Sequence, residues 1–253
     1  MPRLCAALLV SAILSAGLAG SARADDQEVK AILDKAIKAL GGEEKLKKAE
    51  AYSEKHKGTL TFGGNDSEFT TERTVQGVDR VRAEFESEFN GNKFKFLMVL
   101  DGDKAWGRFG DATMPLDETG LAREKQNLYL AAAPVTLLPL KGKGFQLEAA
   151  GEEKIADKPA LVIKGTGPDG KEFSLAFDKD SGLPVRLVAK KVLGFQGDEF
   201  TLEVSFADYK EFGGLKRATR TQQKRDGETF LKQELTEFKP LEKVDAKTFA
   251  EPQ

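Results

Sequence analysis

The sequence has very few of the side chains on which most catalytic and metal sites depend. Its one cysteine, Cys5, lies in the apolar N-terminal stretch, and its one histidine is His56. A zinc site draws several ligands from Cys and His, and a serine protease triad would have to use His56. That residue lies in a predicted strand, Tyr52–Phe62, with no nucleophile elbow. We therefore predict no catalytic residue, no metal and no cofactor.

Acidic clusters are the remaining candidates for chemistry. Asp101-Gly102-Asp103 and the stretch Asp178–Asp180 look like loose calcium loops, but they lack the spacing of an EF-hand. Hairpin turn chemistry is the favoured interpretation of both. A carboxylate pair for glycoside hydrolysis stays open, because its geometry is set in three dimensions. Most acidic side chains here nevertheless fall on the polar phase of predicted strands, where solvated charge is the ordinary state.

The chain also lacks an excess of charge of either sign. The formal net charge is −2, and removal of Arg3 and Arg23 with the N-terminal segment would take it to about −4. Lys and Glu are interspersed along the sequence, which favours solubility. A nucleic-acid partner requires a clustered basic face, so we expect no nucleic-acid partner. We also expect a monomer.

The N-terminus has the three parts of a secretory signal. A basic start is followed by an apolar stretch, Leu4–Leu18, and then by the small-residue site Ala22-Arg23-Ala24. We predict a signal peptide over 1–24 that is cleaved after Ala24, and hence a soluble, exported protein. The alternative is an uncleaved membrane anchor, for which the stretch is marginally short. No later segment is long and apolar enough to span a membrane, and 25–253 is predicted to form a single domain.

The remaining chain begins with one helix and continues as strands. A single apolar stripe over Val29–Leu40 predicts an amphipathic helix, and Gly41-Gly42 is expected to end it. From about Ala49 the apolar period changes to two, and turn residues recur at strand-length intervals. This pattern is typical of an antiparallel meander rather than of βαβ units.

Phenylalanine alternates with charged residues along the predicted strands. In the segment Asp79–Phe89 the apolar positions are Val81, Ala83, Phe85 and Phe89, and Asn90-Gly91 then predicts a hairpin turn. The alternation returns at Phe94, Phe96, Met98 and Leu100, and again at Phe173, Leu175, Phe177, Phe200, Leu202, Val204 and Phe206. One sheet face is therefore apolar, and an apolar patch of that size must be covered.

A helical insertion interrupts the meander over Asp117–Leu140. Leu121, Leu128 and Ala132 have helical spacing, with Tyr129 beside them, and the prolines Pro134 and Pro139 are expected to break the segment into short pieces. Such an insertion has to pack on a sheet face. It either completes an ordinary core or leaves a lipid-sized cavity beneath a mobile lid.

Four segments resemble the periplasmic lipoprotein-localisation factors and the related lipid carriers of the LolA/LolB-like family. They are the opening helix, the hairpin Asp101-Gly102-Asp103-Lys104-Ala105-Trp106, the segment Phe177–Val185, and the ending Val244–Phe249. The resemblance implies a mainly β fold: a curved, incompletely closed antiparallel half-barrel with an N-terminal helix and a helical lid. It also implies a periplasmic location and a concave face that shelters the acyl chains of lipoproteins or other lipids.

The sequence departs from that family at one turn. The lipoprotein carriers have an Arg-Pro pair there that helps to hold the lid shut, whereas this chain has Val75-Gln76-Gly77-Val78-Asp79. Arg80 and Arg82 lie nearby, but they occupy the polar phase of their strand. The gating role is therefore not carried over to them.

Two functions follow, and a third is less favoured. The first is a carrier of acylated molecules, with envelope membrane proteins as further partners. The second is a non-catalytic envelope interaction module of the same fold with a filled core, and the third is an exported hydrolase. For the carrier, the predicted ligand-binding residues are Phe85, Phe94, Phe96, Met98, Trp106, Leu128, Tyr129, Phe173, Phe177, Phe200 and Phe206.

Overall fold

The computed structural model describes residues 18–89 and 91–253. Most of the predicted signal peptide, and Asn90 of the predicted Asn-Gly turn, lie outside these residues. The first helix begins at Leu18 and runs through the predicted cleavage site at Ala24, so cleavage stays a prediction. Within the described ranges no helix is long and apolar enough to cross a membrane.

Three helices and thirteen strands make up the described chain. The helices are α1 (Leu18–Leu40), α2 (Glu43–Lys48) and α3 (Glu118–Thr136). The strands are β1 (Ala51–Phe62), β2 (Asn65–Gln76), β3 (Arg80–Phe89), β4 (Asn92–Asp101), β5 (Lys104–Phe109), β6 (Ala112–Pro115), β7 (Gln146–Ile155), β8 (Lys158–Thr166), β9 (Glu172–Asp178), β10 (Pro184–Leu193), β11 (Glu199–Phe212), β12 (Leu215–Arg225) and β13 (Glu228–Pro240).

All thirteen strands belong to one antiparallel sheet in the order β6-β5-β4-β3-β2-β1-β13-β12-β11-β10-β9-β8-β7. Two meanders, β1–β6 and β7–β13, are joined where the first strand pairs with the last. The edge strands β6 and β7 do not pair with each other, so the sheet is open. Helix α3 connects these two edges, which places it across the same sheet face that α1 covers.

Helix α1 ends as the sequence predicts. Ala36, Ile37 and Leu40 are buried on its apolar stripe, and Gly41 follows with a φ of 132°. A Cβ atom at Gly41 would lie 2.4 Å from the carbonyl oxygen of Gly214. Glycine is therefore required here both for the backbone conformation and for the close approach of β12.

Helix α3 is longer than the sequence predicts. Asp117 caps its first turn by accepting a hydrogen bond from the Gly120 amide at 2.8 Å. Pro134 was expected to break the segment, but the helix continues through it to Thr136. The lost hydrogen bond falls in the last turn, where burial of the surrounding residues offsets it. Pro139 lies in a separate 3₁₀ turn, Leu138–Lys141.

The main core lies between these helices and one face of the sheet, which we call the inner face. Its largest fully buried side chains come from the helices, from the helix-to-strand connections and from β4, β8, β9 and β10. They include Phe177, Leu40, Leu46, Leu100, Leu137, Ile163, Leu175 and Leu187.

Candidate functional site

Strand register decides which side chains share the inner face. Phe85 of β3 pairs with Phe96 of β4, and Phe96 pairs with Phe109 of β5. In the next register row, Ala83 pairs with Met98. Directly opposed residues of antiparallel strands point to the same side, so the alternation in β3 and β4 falls on one face as predicted.

Half of this face is covered by helices and fully packed. Leu128 and Tyr129 of α3 and Phe173 and Phe177 of β9 are all at most 5 % exposed and belong to the main core. The ring of Tyr129 lies 6.4 Å from Phe173, and both rings contact Phe145. Phe200 is also buried in this core. These five predicted ligand-binding residues lie in packed core beside the helices.

The other half of the face carries phenylalanines that no helix covers completely. Phe94 is 42 % exposed and Phe109 is 46 % exposed, while Phe85 and Phe96 are half-buried. Successive ring centroids are 5.3 Å apart for Phe69–Phe85, 6.4 Å for Phe85–Phe94, 5.5 Å for Phe94–Phe109 and 4.5 Å for Phe96–Phe109. We call these five residues the aromatic ladder; its first member, Phe69, is buried at 3 % exposure, and the other four are partly open.

The sequence analysis missed two members of the ladder. Phe69 lies in β2 opposite Ser87, and Phe109 ends the short strand β5. Phe109 has the same phase as Ala105, so extending the alternation through the Trp hairpin would have found it. Met98 and Phe206, both predicted, are half-buried and pack against the edge of the main core.

Trp106, which the sequence analysis includes among the ligand-binding residues, lies on the outer face of the sheet. Trp106 pairs with Val99, and it packs with Leu97, Val99 and Phe249 in a separate cluster on the opposite face. Phe249 comes from the 3₁₀ turn Ala246–Phe249 near the C-terminus. Because side chains alternate along a strand, Ala105 takes the inner position and Trp106 holds the C-terminal segment against the outer face.

A buried charged cluster lies between the covered and the open halves of the inner face. The Glu54 side chain is 0 % exposed, and its Oε1 contacts the Arg73 guanidinium while its Oε2 lies 3.2 Å from Arg217 Nη2. His56 Nε2 lies 3.4 Å from Glu54 Oε1. Burial alone would raise the pKa of Glu54, but the facing Arg73, His56 and Arg217 outweigh it and hold that pKa below its usual range.

Helix α3 is fastened to the sheet by a second buried polar group. The Gln126 side chain donates to Asp169 Oδ2 at 3.0 Å and accepts from the Leu193 amide at 2.8 Å. The Tyr129 hydroxyl donates to Asp169 Oδ1 at 2.9 Å. Burial and the neighbouring Asp169 carboxylate raise the pKa of the Tyr129 hydroxyl, so this hydroxyl stays protonated and able to donate.

A groove of about 1240 Å³ crosses seven adjacent strands, from β4 to β11. Most of its lining side chains have the phase opposite to the aromatic ladder, and they carry both signs of charge. Lys57 and Glu234 form one ion pair across it, with 3.6 Å between Nζ and Oε2, and Lys95 and Glu86 form another at 2.8 Å. Charged and polar residues make up most of this lining, and Phe69 and Phe94 of the aromatic ladder also contribute to it. The groove is therefore not the apolar cavity that the sequence predicts beneath a lid.

The described residues contain no group of three or more His, Cys, Asp and Glu side chains placed to share a metal ion. Asp178 of one predicted calcium-like loop instead accepts hydrogen bonds at 2.7 Å from both the amide and the hydroxyl of Ser181. These bonds lower the pKa of the Asp178 carboxyl. They are the turn chemistry that the sequence favours for this segment.

Solved structures share this architecture over nearly the whole chain. A LolA superfamily protein from Nitrosomonas europaea is 11 % identical with a TM-score of 0.58, and the match covers 87 % of this chain and 96 % of that one. A DUF1329 family protein from Desulfovibrio piger is 13 % identical with a TM-score of 0.56, covering 88 % and 97 %. The chain has the LolA fold.

A third structure agrees, and sequence comparison adds no further relative. A domain named for outer membrane lipoprotein sorting, from Vibrio parahaemolyticus, is 9 % identical with a TM-score of 0.53 over 86 % of this chain and 97 % of that one. No family model and no curated protein matches the sequence. The fold predicted from the sequence, an open antiparallel sheet with an N-terminal helix and a helical insertion, is therefore confirmed as LolA-like.

Proposed function

We propose that this protein is a periplasmic binder and carrier of acylated molecules. The observation that carries the proposal is the aromatic ladder, because it is apolar, continuous and only partly covered, with Phe94 and Phe109 at 42 % and 46 % exposure. Met114, 53 % exposed in the neighbouring edge strand β6, extends the same apolar region. The LolA fold supports the proposal, since lipoprotein sorting is the role named for one of the similar structures.

An acyl chain suits this surface physically. Each CH₂ group removed from water contributes about 0.8 kcal/mol, and a row of aromatic rings offers an apolar surface along which a chain can lie. The Phe96 ring packs over Gly107 of the adjacent strand β5, where a Cβ atom would lie 3.2 Å from that ring. Binding of this kind needs no catalytic residue and no cofactor.

A second candidate function is an envelope interaction module that acts through its surface. The packed half of the inner face favours it, because Phe173 and Phe177 already fill the space beneath the helices. The mixed-charge groove across β4 to β11 offers such a module a polar docking surface. The two functions differ in whether the aromatic ladder takes up a lipid.

Native mass spectrometry of protein purified gently from its host tests the carrier function first. We expect an excess mass that corresponds to a bound lipid. Displacement of the uncharged dye Nile red by fatty acids then locates the site. Phe85→Ala and Phe109→Ala should weaken dye binding severalfold, while Phe195→Ala, which removes a 71 % exposed ring outside the ladder, should leave it unchanged.

The carrier function fails if the wild-type protein carries no lipid and binds neither dye nor fatty acid. The interaction module would then be the better account. Export is tested separately by N-terminal sequencing of the secreted protein, which should begin at Asp25. A membrane-bound chain that still starts at Met1 would contradict cleavage after Ala24.

A further inference from the structure

The buried cluster of Glu54, Arg73, Arg217 and His56 carries more positive charge than it can balance internally. Glu54 is the one carboxylate paired with either guanidinium among the described residues. Two arginines and one glutamate leave one positive charge uncompensated, with Glu54 fully buried and the Arg217 side chain 11 % exposed. A buried charge is costly unless it is paired, so one more anionic group would balance the charge of the cluster.

Several buried polar nitrogens of the cluster also make no hydrogen bond. The Nε atoms of Arg73 and Arg217 and the Nδ1 atom of His56 are buried without a hydrogen-bond partner in the described part of the chain, and His56 Nε2 has only the 3.4 Å contact with Glu54 Oε1. His56 is 7 % exposed. Arginine has five N–H donors in a planar fork that matches a carboxylate, and Glu54 uses only part of that capacity. Most buried polar groups in folded proteins have a hydrogen-bond partner, and a bound ion is one of the partners that can complete such a group.

The register places this cluster directly beside the aromatic ladder. Arg73 pairs with Ala83, and two residues further along the same strands Thr71 pairs with Phe85. Phe96 and Phe109 continue that second row across β4 and β5. The Arg73 side chain is 28 % exposed, more than the other members of the cluster. The cationic group therefore lies at one end of the open apolar surface.

We propose that Arg73, with Arg217 and His56 behind it, binds the carboxylate of a fatty acid whose alkyl chain lies along the aromatic ladder. This inference rests on the proposed carrier function and adds the chemistry of the head group. A carboxylate brings the single negative charge that the cluster lacks, whereas a phosphate monoester would bring about −1.5 to −2. Charge-assisted bonds to a guanidinium are also the stronger kind of hydrogen bond.

Two ligands with the same tail test the inference on the wild-type protein. Oleate and methyl oleate are each titrated against bound Nile red at pH 7.5. We expect oleate to bind at least tenfold more tightly, which corresponds to about 1.4 kcal/mol. Equal affinities would overturn the head-group inference and leave the carrier function standing. Binding of neither ligand would overturn both.

Variants then assign the preference to Arg73. Arg73→Gln should weaken oleate binding about tenfold without changing the affinity for methyl oleate, and Arg73→Lys should restore part of the loss. Arg82→Gln is the matched control, because Arg82 pairs with Val99 on the outer face of the same sheet. An Arg73→Gln protein that folds and keeps the full oleate preference would contradict the role of Arg73. If that variant does not fold, the wild-type ligand pair still decides the inference.

Discussion

The two halves of the inner face have the same kind of sequence and different environments. Phe173, Leu175 and Phe177 recur with a period of two in β9, just as Phe94, Phe96 and Met98 do in β4. The first three are at most 4 % exposed, whereas Phe94 is 42 % exposed. The difference lies in what packs above the sheet, because the helices pack over the first three and leave the second half of the face partly open.

The comparison shows that apolar alternation in a strand predicts which residues share a sheet face. It does not predict whether that face is packed core or an open surface. A covered phenylalanine contributes to the stability of the core. An incompletely covered one leaves apolar area in contact with water, which a ligand or a partner can remove. Stability measurements and binding measurements should therefore separate the two halves.

The largest expected effect is on stability in the covered half. Phe177→Ala should lower the free energy of unfolding by about 3–5 kcal/mol, because it leaves a cavity in a packed core. Phe94→Ala should cost less than about 1 kcal/mol, since that ring is already partly exposed. Urea unfolding of the two variants checks this. Equal losses would show that both halves are packed alike.

The next effect concerns the charged cluster at the boundary between the halves. Glu54→Gln should cost about 3 kcal/mol at pH 7, because it leaves two largely buried arginines without their carboxylate. The pKa of Glu54 is lower in the folded than in the unfolded state. The stability it contributes is thus fully present only above the unfolded-state pKa of about 4.5, and it is lost as the pH falls below that value.

Urea unfolding from pH 7 to pH 3 measures this dependence. The wild-type protein should lose more stability over this range than Glu54→Gln, which has no carboxyl to protonate at that position. Parallel pH profiles for the two proteins would mean that Glu54 is not held ionised by its arginines.

A smaller effect is expected on the outer face. Trp106→Ala should lower the free energy of unfolding by about 2 kcal/mol, because the half-buried ring packs against Leu97, Val99 and Phe249. It should leave Nile red binding unchanged, in contrast to Phe109→Ala three residues away. A loss of dye binding in Trp106→Ala would restore Trp106 to the ligand-binding set.

The smallest effect concerns helix α3, which covers part of the inner face. Hydrogen exchange in α3 is predicted to be faster than in the segment Phe94–Leu100 and to slow when an amphiphile is added. Gln126→Ala should accelerate exchange in α3 further and cost about 1–2 kcal/mol, because it removes buried hydrogen bonds to β10 and to Asp169. Slow, ligand-independent exchange in both segments would favour the interaction module with a filled core.

Much of the fold was predictable because its signals are local. The period of two in β3 and β4, the apolar stripe of α1 and the glycine at its end each depend on neighbours a few residues apart. They suffice to predict an antiparallel meander with a helix on one face. The inner position of Phe85, Phe96 and Met98 follows from the same alternation.

Other features depend on contacts between distant residues and were decided by the tertiary structure. The pairing of β1 with β13 unites the two meanders and brings Arg217 to Glu54 across 163 positions of the sequence. Burial carries α3 through Pro134, where local propensity predicts a break. In β5 the side chains of Ala105 and Phe109 lie on the inner face, so the side chain of Trp106 lies on the outer face against the C-terminal segment. Strand alternation could thus predict which residues share a face, but only the packing of the helices decides which of them are left open to a ligand.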